Sequence, residues 1–329
     1  MNTDNMAESM SHWVNAWGQA HTVIEDLSSF YRDRTVLVTV RSNLSGEKIR
    51  LRVSNREGKK PMRLTGGSVS TPVGETMRVL FAGQEALNLD PCAEVYSDAV
   101  TLPVRSGDHI CVRLAFTGPV ISGNSIETNV LYSKKGDFTA GGPFDTELPS
   151  QSVGFCGLDQ AVPALSAIEV LTPDDAGAII CFGDSITQMG LWTTPLAEEL
   201  LRGKPGSFSV INKGIGGNRL LHKPASVTYG RAGVERFERD VLEEAGAAAV
   251  ILGSAEKVKF DEYTMNICRN LTCLSQISCI NAEKICIRRT FLARRFLVNS
   301  LEPSCQCPKA PPNLGIFDHT PALWGLFDF

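Results

Sequence analysis

The 329-residue chain has no apolar run near the ~18–20 residues that a membrane-crossing helix requires. Its opening, "MNTDNMAESMSHW", is polar and lacks the apolar core of a secretory signal. These two absences lead us to expect a cytoplasmic protein whose ten cysteines are thiols rather than bridges. Charge of one sign is also missing: the net charge is −4 and the pI about 5.8, so nothing points to a nucleic-acid partner. Glycine is absent from residue 254 to residue 314, although the chain has 29 glycines. Six of the cysteines crowd the same region: Cys268, Cys273, Cys279, Cys286, Cys305 and Cys307. Two composition shifts at one point mark a boundary near Ser254. The cysteine gaps there do not form the paired C-x₂-C units of a zinc site. No metal and no cofactor is implied.

What is present before that boundary falls into two patterns. In "TVLVTVRSNLSGEKIRLRVSN", Val36, Val38 and Val40 alternate with other residues, as do Ile49, Leu51 and Val53 after a turn at Asn43 to Gly46. Val100, Leu102 and Val104, then Ile110, Val112 and Leu114, repeat this around Ser106-Gly107-Asp108. Period-two alternation around a glycine-containing turn predicts hairpins. Short strands with regular turns and no long amphipathic helix predict a β-sandwich or jelly roll over residues 1–172. "YSKKGDFTAGGPFDTELPSQ" is expected to be a long surface loop.

From residue 173 to residue 254 the rhythm becomes β-α-β-α-β. Ala178 to Phe182 is wholly apolar, as in a strand covered on both faces. Thr194-Pro195 resembles an N-cap and first helical residue. Leu196, Leu200 and Leu201 then form an apolar stripe that Gly203 stops. "FSVINKGI" and "AAAVILG" are further strands, and Val234, Phe237 and Val241 mark a helix between them. Such alternation implies a parallel sheet. Loops at the carboxyl ends of its strands would then converge on one rim, where ligands bind in such sheets. Ser185 follows the first strand, "GIGGN" (Gly214 to Asn218) the second, and Gly253 ends the third. Ser185 is a candidate nucleophile, with helix N-cap as the competing reading. The glycines would let backbone N–H groups approach a substrate oxygen, with a tight turn or a phosphate loop as the alternatives.

"FGDSIT" followed by "NKGIGGNRLL" resembles the first two sequence blocks of the SGNH hydrolases, the GDSL esterases and lipases. The "WVNAWGQA", "RLRVSN" and "GDFT" stretches are similar to a subgroup with a β-rich domain before the catalytic one. The resemblance covers about Trp13 to Gly253. It implies a flavodoxin-like parallel-sheet α/β domain and hydrolysis of carboxylic esters, acetyl esters among them. The partners implied are small-molecule or carbohydrate esters. Ser185 would be nucleophile and oxyanion donor, Gly217 N–H the second donor, and Asp184 the support of the turn.

The pattern then breaks. Where the family has Gly-x-Asn-Asp, this chain has Gly253, Ala255 and Glu256. No Asp-x-x-His follows Ser185; only His222 and His319 come after it. His222 is expected on a surface loop. His319, next to Asp318, is the remaining candidate base. The α/β domain is therefore expected to be incomplete, the third strand to have an uncovered edge, and residues 255–329 to form a divergent Cys-rich tail. A catalytically inactive binding protein, or a truncated or aberrant product, is the alternative function.

Overall fold

The computed structural model describes residues 11–24, 28–149, 161–173 and 175–253, and the backbone of three strands beyond them. Strands dominate. One antiparallel sheet is built from β1 (Ser11–Gly18), β4 (Gly46–Ser54), β8 (Glu94–Tyr96), β9 (Val100–Val104) and β14 (Leu165–Pro173). Its order is β1-β14-β4-β8, with β9 also on β4. A second contains β3 (Arg34–Arg41), β5 (Met62–Ser70), β6 (Met77–Arg78), β7 (Leu87–Leu89), β10 (His109–Phe116) and β12 (Asn129–Lys135). Its order is β12-β3-β10-β5-β6, with β7 on β5. A small antiparallel sheet joins β13 (Val162–Pro163), β11 (Ser122–Asn124) and β2 (Thr22–Val23) in that order.

The alternating residues face inward as expected. Val36, Val38, Val40, Ile49, Leu51, Val53, Ile110, Val112 and Leu114 are all buried in one cluster. Burying each contributes about 1.5–3 kcal/mol. The expected hairpins do not form. β3 pairs with β10 and β12, whereas β4 pairs with β14, β8 and β9. Each predicted hairpin is an arch that carries the chain from one sheet to the other. The two arches lie side by side, and their corners are bonded together. Gly107 N–H donates to Ser42 O at 2.7 Å, and Ser106 Oγ donates to Asn43 O at 2.9 Å. Alternation reports which face is buried. It does not report which strand lies alongside. The stretch expected to be a long loop begins as the end of β12, and residues 136–149 continue as irregular chain.

A parallel set follows: β15 (Gly177–Gly183), β16 (Phe208–Gly214) and β17 (Ala247–Gly253), with β15 between the other two. Between the strands lie α1 (Ser185–Gln188), α2 (Thr193–Gly203) and α3 (Gly233–Phe237), the last continued by a π-turn over Glu238–Leu242. Helix α2 begins at Thr193, with Trp192 at the cap position, so Thr194 is not the cap and Pro195 lies inside the first turn. The edge of β17 is not uncovered. Residues Val250–Gly253 pair in parallel with β18 (Gln276–Asn281), which pairs antiparallel with β19 (Lys284–Phe291). β20 (Arg294–Arg295) completes this sheet. Among the described residues, no helix is long and apolar enough to cross a membrane.

The β-rich part and the parallel sheet share a charged, buried junction. Glu244 Oε1 accepts from Arg52 Nη2 at 2.6 Å and from Lys213 Nζ at 2.7 Å. Its Oε2 accepts from Asn15 Nδ2 at 2.5 Å. Lys213 is 1% exposed, and burial pulls its pKa below the ordinary value while Glu244 opposes the shift. A cation this deep persists because its carboxylate partner is equally deep.

Candidate active site

The site is built on a row of three glycines. Gly183, at the end of β15, is in register with Gly214 on β16 and with Gly253 on β17. A side chain on Gly183 would strike the Gly253 carbonyl oxygen and Thr187 Oγ1. One on Gly214 would strike the backbone of Gln188 and Asp184. Glycine at these strand ends lets α1 sit directly on the sheet edge.

Asp184 begins that helix. It is 7% exposed, its side chain accepts from Ile186 N–H at 3.0 Å, and its own N–H donates to Gly253 O at 3.2 Å. Asp184 is therefore the N-cap, and Ser185 is the first helical residue. The competing reading of Ser185 as the cap is removed. Ser185 is half-buried, and Ile186 beside it is 47% exposed.

The glycine loop follows β16 on the same rim. Gly217 has a φ of 70°, a conformation that favours glycine, and a Cβ there would lie 2.7 Å from the Tyr229 ring. Asn218 locks the loop: its Nδ2 donates to Tyr229 O at 2.7 Å and to Arg231 O at 2.6 Å. Ser185, Gly217 and Gly253 thus stand at or just beyond the carboxyl ends of three adjacent parallel strands.

Three groups of supporting residues had no motif to reveal them. Asn124, on β11 of the β-rich part, donates to Gly214 O at 2.9 Å and accepts from Gln188 Nε2 at 2.9 Å. Thr22 on β2 donates to Val227 O and Thr228 O, holding the turn that carries Tyr229. Arg236, on α3, was legible only as part of a helix marked by Val234, Phe237 and Val241. It is buried against Phe182, its guanidinium carbon 3.8 Å from the ring centroid. Asp240, beside it, would be raised by burial, but Arg239 and Arg236 hold it well below the usual carboxylate range.

No described histidine is hydrogen-bonded to Ser185. His222 is exposed on the loop after the glycine turn, as expected. His21 is buried, its Nε2 against Leu165 O at 3.2 Å and its Nδ1 against Ser122 Oγ at 2.8 Å. A carbonyl only accepts, so Nε2 carries the proton and Nδ1 accepts from Ser122. His319, Ala255 and Glu256 lie outside the described residues.

No protein-family model and no curated protein sequence matches this chain. Among solved structures it is similar to a family two carbohydrate esterase from Cellvibrio japonicus, with 12% identity and a TM-score of 0.22, covering 82% of this chain and 78% of that one. It is also similar to an acetyl xylan esterase, Est2A, from the rumen bacterium Butyrivibrio proteoclasticus. There the identity is 8% and the TM-score 0.19, covering 74% of this chain and 64% of that one. TM-scores this low do not establish a common fold.

Proposed function

We propose that this chain carries the nucleophile and oxyanion side of an SGNH-type serine ester hydrolase. The β-rich part, residues 1–172, would be its jelly-roll domain and residues 173–254 an incomplete catalytic domain. The observation that carries the reading is the glycine register. It sets the Ser185 turn and the Gly217 turn beyond neighbouring parallel strands, with Asp184 taking the cap and leaving Ser185 for other use. Ser185 Oγ would attack the acyl carbon, and its proton would pass to a base. The oxyanion would rest on the N–H groups of Ser185 and Gly217, the alcohol would depart, and water would release the acid. The substrate would be a carboxylic ester, such as an acetyl ester, of a small molecule or carbohydrate. No cofactor enters this chemistry.

Turnover would be poor. An alcohol is a weak nucleophile without a base. The family's third-block Asn, an oxyanion donor, is Ala255 here, and losing one such donor costs ~10²–10³ in rate. His319 is the one candidate base left in the tail, and its neighbour Asp318 is badly spaced to orient it. These departures favour a second reading, a catalytically silent binding protein or an aberrant product.

Two measurements test the proposal. A chromogenic acetyl ester should turn over barely above background, with little change in Ser185→Ala. Robust turnover abolished by both Ser185→Ala and His319→Ala would show that the tail supplies a working base. A phosphonate ester with a p-nitrophenyl leaving group should modify Ser185 ahead of other serines, as read by peptide mass. Modification no faster than at exposed serines elsewhere would end the hydrolase reading.

A further inference from the structure

Both halves of the candidate site are tied to one buried guanidinium. Arg236 is 1% exposed. Its Nη2 donates to Gly183 O at 2.8 Å, two residues before Ser185. Its Nε donates to Asn218 Oδ1 at 3.0 Å, one residue after Gly217. Its Nη1 donates to Lys213 O at 2.9 Å and to Asp240 Oδ2 at 3.0 Å. The face of the guanidinium lies on Phe182, whose ring meets Phe237 edge-on at 5.3 Å. The Gly183 carbonyl also accepts from Ile215 N–H at 3.2 Å, so the serine strand and the glycine loop meet at this oxygen.

From this we infer that Arg236 is a positioning residue that sets the placement of the Ser185 turn relative to the Gly217 turn. It touches no substrate. Its rigid fork holds a carbonyl on β15, a carbonyl on β16 and the side chain that locks the glycine loop. A lysine ammonium is a point charge on a flexible stem and cannot hold all three in one plane. The phenyl ring beneath fixes the plane, and Asp240 fixes the rotation. The inference rests on the reading of Ser185 and Gly217 as nucleophile and oxyanion donor. The placement itself can be measured without that reading.

The test is Arg236→Lys in the full chain, which keeps the charge and loses the fork. Two readouts are compared with the wild type: the rate of Ser185 modification by the p-nitrophenyl phosphonate, and the amide resonances of Ser185 and Gly217 in ¹⁵N-serine- and ¹⁵N-glycine-labelled protein. We expect the modification rate of Ser185 to fall to that of exposed serines elsewhere in the chain, because its turn would no longer be set against the Gly217 N–H. Both amide resonances should move while that of Gly107, on an arch of the β-rich part, stays in place. Unmoved Ser185 and Gly217 resonances, or an unchanged modification rate in a reactive protein, would overturn the assignment. If the wild type proves unreactive while the resonances move, the positioning role stands and the hydrolase reading falls. If Arg236→Lys does not fold, Phe182→Leu takes its place. It removes the ring and keeps every hydrogen bond, and the same resonances should shift by a smaller amount; unmoved resonances there would likewise overturn the assignment.

Discussion

Asn124 and Gln188 share a buried side-chain hydrogen bond of 2.9 Å that joins the β-rich part to the helix carrying Ser185. Asn124 bonds Gly214 O with its other end. Truncation would leave a buried carbonyl without this donor and remove one acceptor from Gln188. Asn124→Ala should therefore cost about 2 kcal/mol in urea unfolding. It should also slow Ser185 modification, because α1 loses its brace. Unchanged stability would mean that water replaces the amide at no cost.

Gly183 and Gly203 make a matched pair. A methyl on Gly183 would collide with the Gly253 backbone, whereas nothing lies within 4 Å of one on Gly203, at the end of α2. Gly183→Ala should destabilise by about 3 kcal/mol or more, through overpacking against backbone that cannot yield. Gly203→Ala should be neutral or slightly stabilising. Equal thermal shifts for the two variants would contradict the crowding at the strand ends.

His21 links stability to pH. Burial lowers its pKa from 6.5 to about 4, with Glu94 opposing. The folded state therefore binds fewer protons than the unfolded state between those values. The contribution is fully present above pH 6.5 and is lost as pH falls toward 4, by about 3 kcal/mol at most. His21→Gln should flatten the dependence of urea stability on pH in that window. A slope identical to the wild type would assign the loss to other groups.

The junction between the two parts depends on Glu244. Removing its carboxylate leaves Lys213 and Arg52 buried without this shared partner. Glu244→Ala should cost about 3–5 kcal/mol, measured by chemical unfolding. A cost under about 1 kcal/mol would show that water reaches both cations.

The elements legible in the sequence were those governed by local rules. Alternation at Val36 to Val40 and Ile110 to Leu114 identified strands and their buried faces. The apolar runs at Ala178 and Ala247, with glycines at their ends, identified strands of a parallel sheet and the rim beyond them. "FGDSIT" and "GIGGN" marked the two turns on that rim. All of these depend on neighbours within a few residues, which a linear reading contains.

Tertiary structure decided the rest. It made the two expected hairpins into arches between sheets, because an inward-facing valine is satisfied by either sheet across the core. It gave the helix cap to Asp184 rather than Ser185, with the Asp184 N–H held on Gly253 O of the neighbouring strand. It also joined Asn124, Thr22 and Arg236 to the site. Their partners lie 90 residues away for Asn124 and Gly214, and 53 for Arg236 and Gly183. A hydrogen bond between polar groups so far apart in the chain leaves no periodic trace. It is set only when the core has closed and each buried donor must find an acceptor.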